Sequence, residues 1–204
     1  MGASLLNTLD VAFIAVQLDA QLHEKESDRR SDLQLVAAVN GGDAAAFEVL
    51  YLRYRDWVVG LACRFTDDED LALDVLQETF LYVLKKFPGF RLTANFKTFL
   101  YPAVKNLALA AKNKARRYQS TEAEIARAEG TVAPAADASP EDLRQLLKGL
   151  SEEHREALLL RFVDGLDLAE IARAMDVPLG TVKSRLHNAL GTLRADPRTK
   201  QFFA

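Results

Sequence analysis

Apolar residues that step by three and four positions constrain this chain more than any other feature. Val182, Leu186, Leu190 and Leu193 form one such series. A stripe with that period reads as a helix that must bury one face. Phe47, Leu50, Tyr51, Tyr54, Val58 and Leu61 form a second series, with Trp57 beside it as a further core residue. Leu73, Leu76, Phe80, Val83 and Leu84 form a third, inside "TDDEDLALDVLQETFLYVLKKF". That segment carries acids at its start and Lys85 and Lys86 at its end, which complements a helix dipole. Start and stop signals sit between the stripes. Ser31 can cap "DLQLVAAV", "NGGD" stops it, and Asp43 can cap the next helix. "PG" at 88–89 breaks the third stripe, and a further helical segment is expected from near Asn95 to Arg117.

The polar, Ala-rich stretch from about Gln119 to Pro140 has no apolar period and reads as a flexible linker. Beyond it, "SPEDLRQLLKGL" starts one helix, and Ser151 opens a second that Gly165 closes. Asp167 with Glu170 fits a capping box, with Leu166 and Ile171 as the staple around a short third helix, "DLAEIARAM". "DVPLG" is a tight connection into the fourth helix, where Pro178 suits a first-turn position. The expected fold is therefore all-α: two small helical domains joined by a flexible linker, the second a four-helix domain with a helix-turn-helix. The expected divisions are an N-terminal extension at 1–30, a first domain at 31–118, a linker at 119–139, a second domain at 140–196 and a tail at 197–204. Within the extension, Leu6, Leu9, Phe13 and Val16 suit an amphipathic helix.

Several classes drop out. The net charge of −3 gives no general attraction to polyanions. One cysteine, Cys63, rules out a disulfide framework, and His23, His154 and His187 match no metal spacing. There is no Gly-rich phosphate loop and no nucleophile–base set, so the chain is not read as an enzyme and no cofactor is expected. The N-terminus lacks a secretory signal pattern, and "LDVAFIAVQL" is too short to span a bilayer, which suggests a cytoplasmic protein without membrane insertion.

The distribution of charge says more than its sum. No Asp or Glu occurs between Glu78 and Glu122, yet that span holds Lys85, Lys86, Arg91, Lys97, Lys105, Lys112, Lys114, Arg116 and Arg117. Phe87, Phe90, Phe96, Phe99, Tyr101 and Tyr118 are interleaved with them. Bases neutralise phosphates and rings stack on unpaired bases, a combination suited to single-stranded or melting DNA. A second acid-free span, between Asp176 and Asp196, holds Lys183, Arg185, His187 and Arg194. It coincides with the second helix of the helix-turn-helix, whose N-terminal residues enter a DNA major groove in that motif.

These residues resemble the bacterial sigma factors of RNA polymerase, specifically the small extracytoplasmic-function type. One block, from about Leu33 to Arg117, is similar to sigma domain two and includes "DVLQETFLYVLKKF" and "FKTFLYPAVKNLALA". The other, from about Pro140 to Arg194, is similar to sigma domain four. The resemblance implies a factor that binds core polymerase through its clamp helices and flap, directs it to promoters and assists melting. It places Asp74, Gln77 and Glu78 at the clamp. It assigns Phe96, Lys97, Phe99, Lys105 and Asn106 to the −10 promoter element. It assigns Thr181, Lys183, Ser184, Arg185, His187 and Asn188 to the −35 element, with an anti-sigma protein as a candidate further partner. The chain departs from the family where Phe99 replaces a usual Trp and where Asn188 replaces a frequent base. Pro102 departs as well, and an interior proline costs about 3 kcal/mol or kinks a helix. The competing reading is a DNA-binding regulator that acts without joining polymerase; it would leave the first acid-free span and the acidic 67–78 stretch without a role.

Overall fold

A computed structural model describes residues 28–123 and 147–196, with side-chain surroundings given as far as Arg117 in the first segment. The described residues form seven helices and no strand. The chain divides between Arg116 and Arg117 into two compact units.

In the first unit, α1 spans Asp32–Asn40, α2 Ala44–Thr66 and α3 Glu69–Leu84, and α4, Phe96–Ala123, belongs to it as far as Arg116. The expected caps are present. Ser31 Oγ accepts from the Gln34 amide while the Gln34 side chain accepts from the Ser31 amide. Asp43 accepts from the Ala46 amide at 3.1 Å, and Asp68 from the Leu71 amide at 2.9 Å. Each such cap satisfies an amide that the helix itself leaves unpaired. The core joins Leu35, Leu50, Val58, Val83, Phe96, Leu100 and Val104, all fully buried. A side chain of this kind contributes roughly 1.5–3 kcal/mol when removed from water.

Polar contacts fix the two ends of this unit. Arg53 donates to Asp32 at 2.7 Å and to the backbone oxygens of Asp28 and Arg30, so the entry to α1 is tied to α2. Tyr54 also donates to Asp32. At the other end of α1, Asn40 reaches fifty residues ahead. Its Oδ1 accepts from the amides of Gly89, at 2.6 Å, and Phe90, at 3.2 Å. Its Nδ2 donates to the Phe90 oxygen at 2.8 Å. Gly89 has φ +98, a conformation that glycine adopts without strain. The turn after α3 is therefore tied to α1 through one side chain.

The structure corrects several expectations. Leu73 and Leu84 are 44% and 47% exposed, and the buried side of α3 is Ala72, Val75, Leu76, Thr79, Phe80 and Val83. Trp57 is only partly buried. The helix from Asn95 runs past Arg117 to Ala123, so the first residues assigned to the linker are helical. It stays helical across Pro102, which lies on its exposed side; the missing N–H costs the Thr98 carbonyl its usual partner. The expected N-terminal helix, the linker from 124 onward, the start of "SPEDLRQLLKGL" and the tail fall outside the described residues.

In the second unit, α5 spans Glu152–Phe162, α6 Leu168–Ala174 and α7 Leu179–Ala195. Asp167 and Glu170 exchange both capping-box hydrogen bonds, at 2.8 and 2.7 Å, over buried Leu166 and Ile171. Asp176 takes φ +53, and the Val177 amide reaches back to the Ala172 carbonyl at 3.0 Å. That left-handed residue turns the chain between α6 and α7. Pro178 is the N-cap of α7 rather than its first turn, and no side chain caps that helix. The buried stripe of α7 is Val182, Leu186 and Ala189, while Leu190 and Leu193 are half-buried. Between α5 and α7, Arg185 donates to Glu153 at 2.7 Å and is mostly shielded from solvent. Glu156, one turn from Glu153, is buried; burial pushes its carboxyl up to about 7, against the opposing effect of the Arg185 charge.

Two outcomes follow from these contacts. Asn40→Ala removes three hydrogen bonds, so the Gly89 and Phe90 amides lose hydrogen-exchange protection and the first unit loses about 1–3 kcal/mol. Unchanged protection at both amides would show that the turn is held by something else. Folded Glu156 keeps its proton at a pH where the unfolded chain has released it, so the stability it contributes is full below about 4.5 and lost as pH rises through about 7. In denaturation curves across that window, Glu156→Gln should remove this decline. A decline of equal size in the variant would assign it to another group.

Candidate nucleic-acid interface

The acid-free span builds the surface at the start of α4. Nine rings form a continuous chain. Tyr51 meets Phe80, Phe80 meets Phe47, Phe47 meets Phe87, and Phe87 meets Phe90. From Phe90 the contacts pass to Phe99 at 4.5 Å, and Phe99 branches to Tyr82 and to Phe96, which packs on Tyr54. Rings on α2 and α3 thus fix the turn at 87–90 and the first turn of α4. Asn95 starts that helix, its Oδ1 accepting from the Lys97 amide at 2.9 Å.

The five residues assigned to the −10 element do not share one environment. Phe99 is half-buried at the edge of the ring chain. Asn106 is exposed, on the same side of α4 as Pro102. Lys97 holds its ammonium 5.7 Å from the Trp57 ring, and Lys105 the same distance from the Phe65 ring. These two lysines lie eight residues apart on the flank of α4 that meets α2. Phe96 is 0% exposed, wedged between Tyr54 and Phe99. A ring without open surface cannot stack on a base in this arrangement, and what Phe96 does here is support Phe99. Lys112, further along, is engaged by the Phe65 carbonyl and by Asp67 at 2.9 Å.

Asp74, Gln77 and Glu78 all project from the exposed side of α3. The structure adds what the sequence reading missed: Leu73, Leu81 and Leu84 are 44%, 48% and 47% exposed beside them. The face is therefore mixed, with apolar surface among acids and amides, as docking surfaces commonly are. The signal was present in the sequence. The segment 71–84 carries more apolar residues than one helical stripe can bury.

On α7, Lys183, Ser184, His187 and Asn188 are exposed along one side, and Thr181 is partly exposed behind them. Ser184 donates to the Thr181 carbonyl at 2.9 Å, which leaves its oxygen free to accept. No side chain caps α7, and the Thr181 amide bonds back to the Pro178 carbonyl at 2.9 Å; the positive end of such a helix favours phosphate. Arg185, also assigned to the −35 element, turns its guanidinium to Glu153 at 2.7 Å and so lies against α5 instead of extending from α7.

Among the described residues no cluster of His, Cys, Asp and Glu could hold a metal ion, and no helix is long and apolar enough to cross a membrane.

Comparison with known proteins converges on one family. The model described as Sigma-70 region 2 matches residues 50–118, and that described as Sigma-70, region 4 matches residues 141–193. The RNA polymerase sigma-H factor of Pseudomonas aeruginosa is 35% identical over 175 residues, covering 79% of this chain and 91% of the relative. The ECF RNA polymerase sigma-E factor of Escherichia coli is 35% identical over 180 residues, covering 80% and 92%. Among solved structures, the sigma factor RpoE in complex with the anti-sigma factor NepR from Bartonella quintana matches with TM-score 0.55 and 22% identity, over 72% of this chain and 94% of that one. CnrH in complex with the cytosolic domain of CnrY matches with TM-score 0.59 and 21% identity, over 80% and 95%. At those identities the two structures establish the fold alone. Two sigma-70 regions in order and relatives matched over nine-tenths of their length give one conclusion: the chain belongs to the RNA polymerase sigma factors, as a member of the extracytoplasmic-function type.

Proposed function

We propose that this sigma factor divides promoter recognition between its two units, at the residues described above. The first, residues 31–118, docks on the clamp helices of core polymerase through Asp74, Gln77 and Glu78 together with Leu73, Leu81 and Leu84. It captures the unpaired strand of the −10 element with Phe99, Lys97, Lys105 and Asn106. The second, residues 140–196, reads the −35 element through Thr181, Lys183, Ser184, His187 and Asn188, and meets the polymerase flap. Residues 119–139 join them. The factor has no catalytic residues of its own and works in the cytoplasm, where promoter DNA is. One similar structure is a complex with an anti-sigma factor, and a protein of that kind is a fitting partner for this chain too.

The observation that carries this reading is the combination of an exposed polar stripe on the uncapped end of α7 with an aromatic and basic edge at the start of α4. Each surface is small and the net charge is −3, so neither gives high affinity for duplex DNA alone. Joined through core polymerase, the two act on one promoter at high effective concentration.

Binding to promoter fragments should therefore be weak for the isolated factor and strong for the holoenzyme, with transcription starting from mapped sites. Equal affinity with and without core polymerase would favour a free-standing regulator. Within the second unit, Asn188→Ala should change the base preference at the −35 element by about tenfold at one position. Arg185→Ala should instead lower stability and weaken binding to all sequences alike. A change of base preference in the Arg185 variant would restore it as a reader.

A further inference from the structure

Phe99 is the ring the sequence singles out for unpaired bases, and three other rings pack around its half-buried side chain. Phe90 lies 4.5 Å from it, Phe96 5.8 Å and Tyr82 6.1 Å, centroid to centroid. The member of this group with the most open surface is Tyr82, 38% exposed on α3. Its ring lies within 19° of parallel to Phe99. Lys86, one helical turn further on, holds its ammonium 4.6 Å from the Tyr82 centroid. Glu78 is the last acid before Tyr82 and none follows until Glu122, so the acids of α3 precede this ring and Lys85 and Lys86, just past the helix end, follow it.

We infer that Tyr82 is a stacking surface for an unpaired base of the promoter strand, and that Lys86 pairs with the adjacent phosphate. This rests on the capture of single-stranded promoter DNA proposed above. An exposed ammonium over a tyrosine is held more weakly than a stacked base, so a base can take its place. The displaced Lys86 then gains a phosphate, a better partner than the ring. The ring chain beneath, from Phe99 through Phe90 to Phe87 and Phe47, keeps Tyr82 in place without a strand bound. The sequence pattern does not mark this residue, because Tyr82 belongs to the helix that carries the docking face and not to the segment around Phe99.

The test uses holoenzyme assembled from the full chain and core polymerase. The probe is fork-junction DNA from a promoter at which that holoenzyme starts, with 2-aminopurine in the unpaired strand. Tyr82→Leu keeps an apolar cover over Phe99 but cannot stack. It should lose about tenfold in affinity and abolish quenching of the probe at one position. Tyr82→Phe should retain both within about twofold. Lys86→Gln should keep the quenching and reduce the salt dependence by about 0.7 in slope, the value for one phosphate on a single strand. Binding and quenching by Tyr82→Leu equal to the unaltered holoenzyme would overturn the inference. So would equal losses in the Phe and Leu variants, which would assign the role to the hydroxyl. Failure of the unaltered holoenzyme to hold the unpaired strand would be a different result. It would remove the capture reading itself.

Discussion

Aromatic packing between α2, α3 and the start of α4 is the interaction on which the first unit depends. The 87–95 segment is a turn and an irregular stretch with no helix of its own, so nothing in its backbone fixes where α4 begins. Phe87 and Phe90 supply that information by inserting between Phe47 and Phe99. Such pairs contribute about 0.5–1.5 kcal/mol each beyond their buried area. Asn40 adds direction by binding the amides and carbonyl of the same turn. The outcome is a set of rings held from below with Lys86 over one of them, a surface of fixed shape at the place where base capture is proposed. Preorganisation of this kind keeps binding energy from being spent on ordering a loop.

The second unit solves a different problem with different means. A reading helix needs a set orientation and a bare polar face. The capping box at Asp167 sets α6, the left-handed turn at Asp176 sets the angle into α7, and Arg185 ties α7 to Glu153 on α5. With Arg185 held at Glu153, the exposed polar residues of α7 are Lys183, Ser184, His187 and Asn188, the set proposed above to read DNA. Buried Glu156 beside the brace costs stability when ionised, and the Arg185 charge offsets part of that cost.

Much of this was legible in the residues. Caps at Ser31, Asp43, Ser151 and Asp167 depend on contacts three residues away, so spacing alone reveals them. The two acid-free spans stand out for the same reason: charge patterning is a property of the string. What could not be read depends on distant pairing. Nothing near Asn40 indicates a bond to residue 90. Nothing near Arg185 indicates a carboxylate thirty-two residues earlier, and the fate of that side chain changed with it. Phe96 and Phe99 look alike in sequence, yet packing against Tyr54 buries one and leaves the other at the edge. The exposed leucines of α3 were misplaced because a period-based stripe cannot say which side of a richly apolar helix faces outward.

The central claim is that the edge of the ring chain on α4 takes hold of an unpaired strand. Permanganate reactivity of promoter thymines in holoenzyme complexes tests it most directly, comparing the unaltered factor with Phe99→Ala on duplex promoter and on the same promoter with a pre-opened bubble. The account predicts opening of the duplex reduced about tenfold in the variant, with the bubble restoring most of the complex. Wild-type reactivity on the duplex would contradict it.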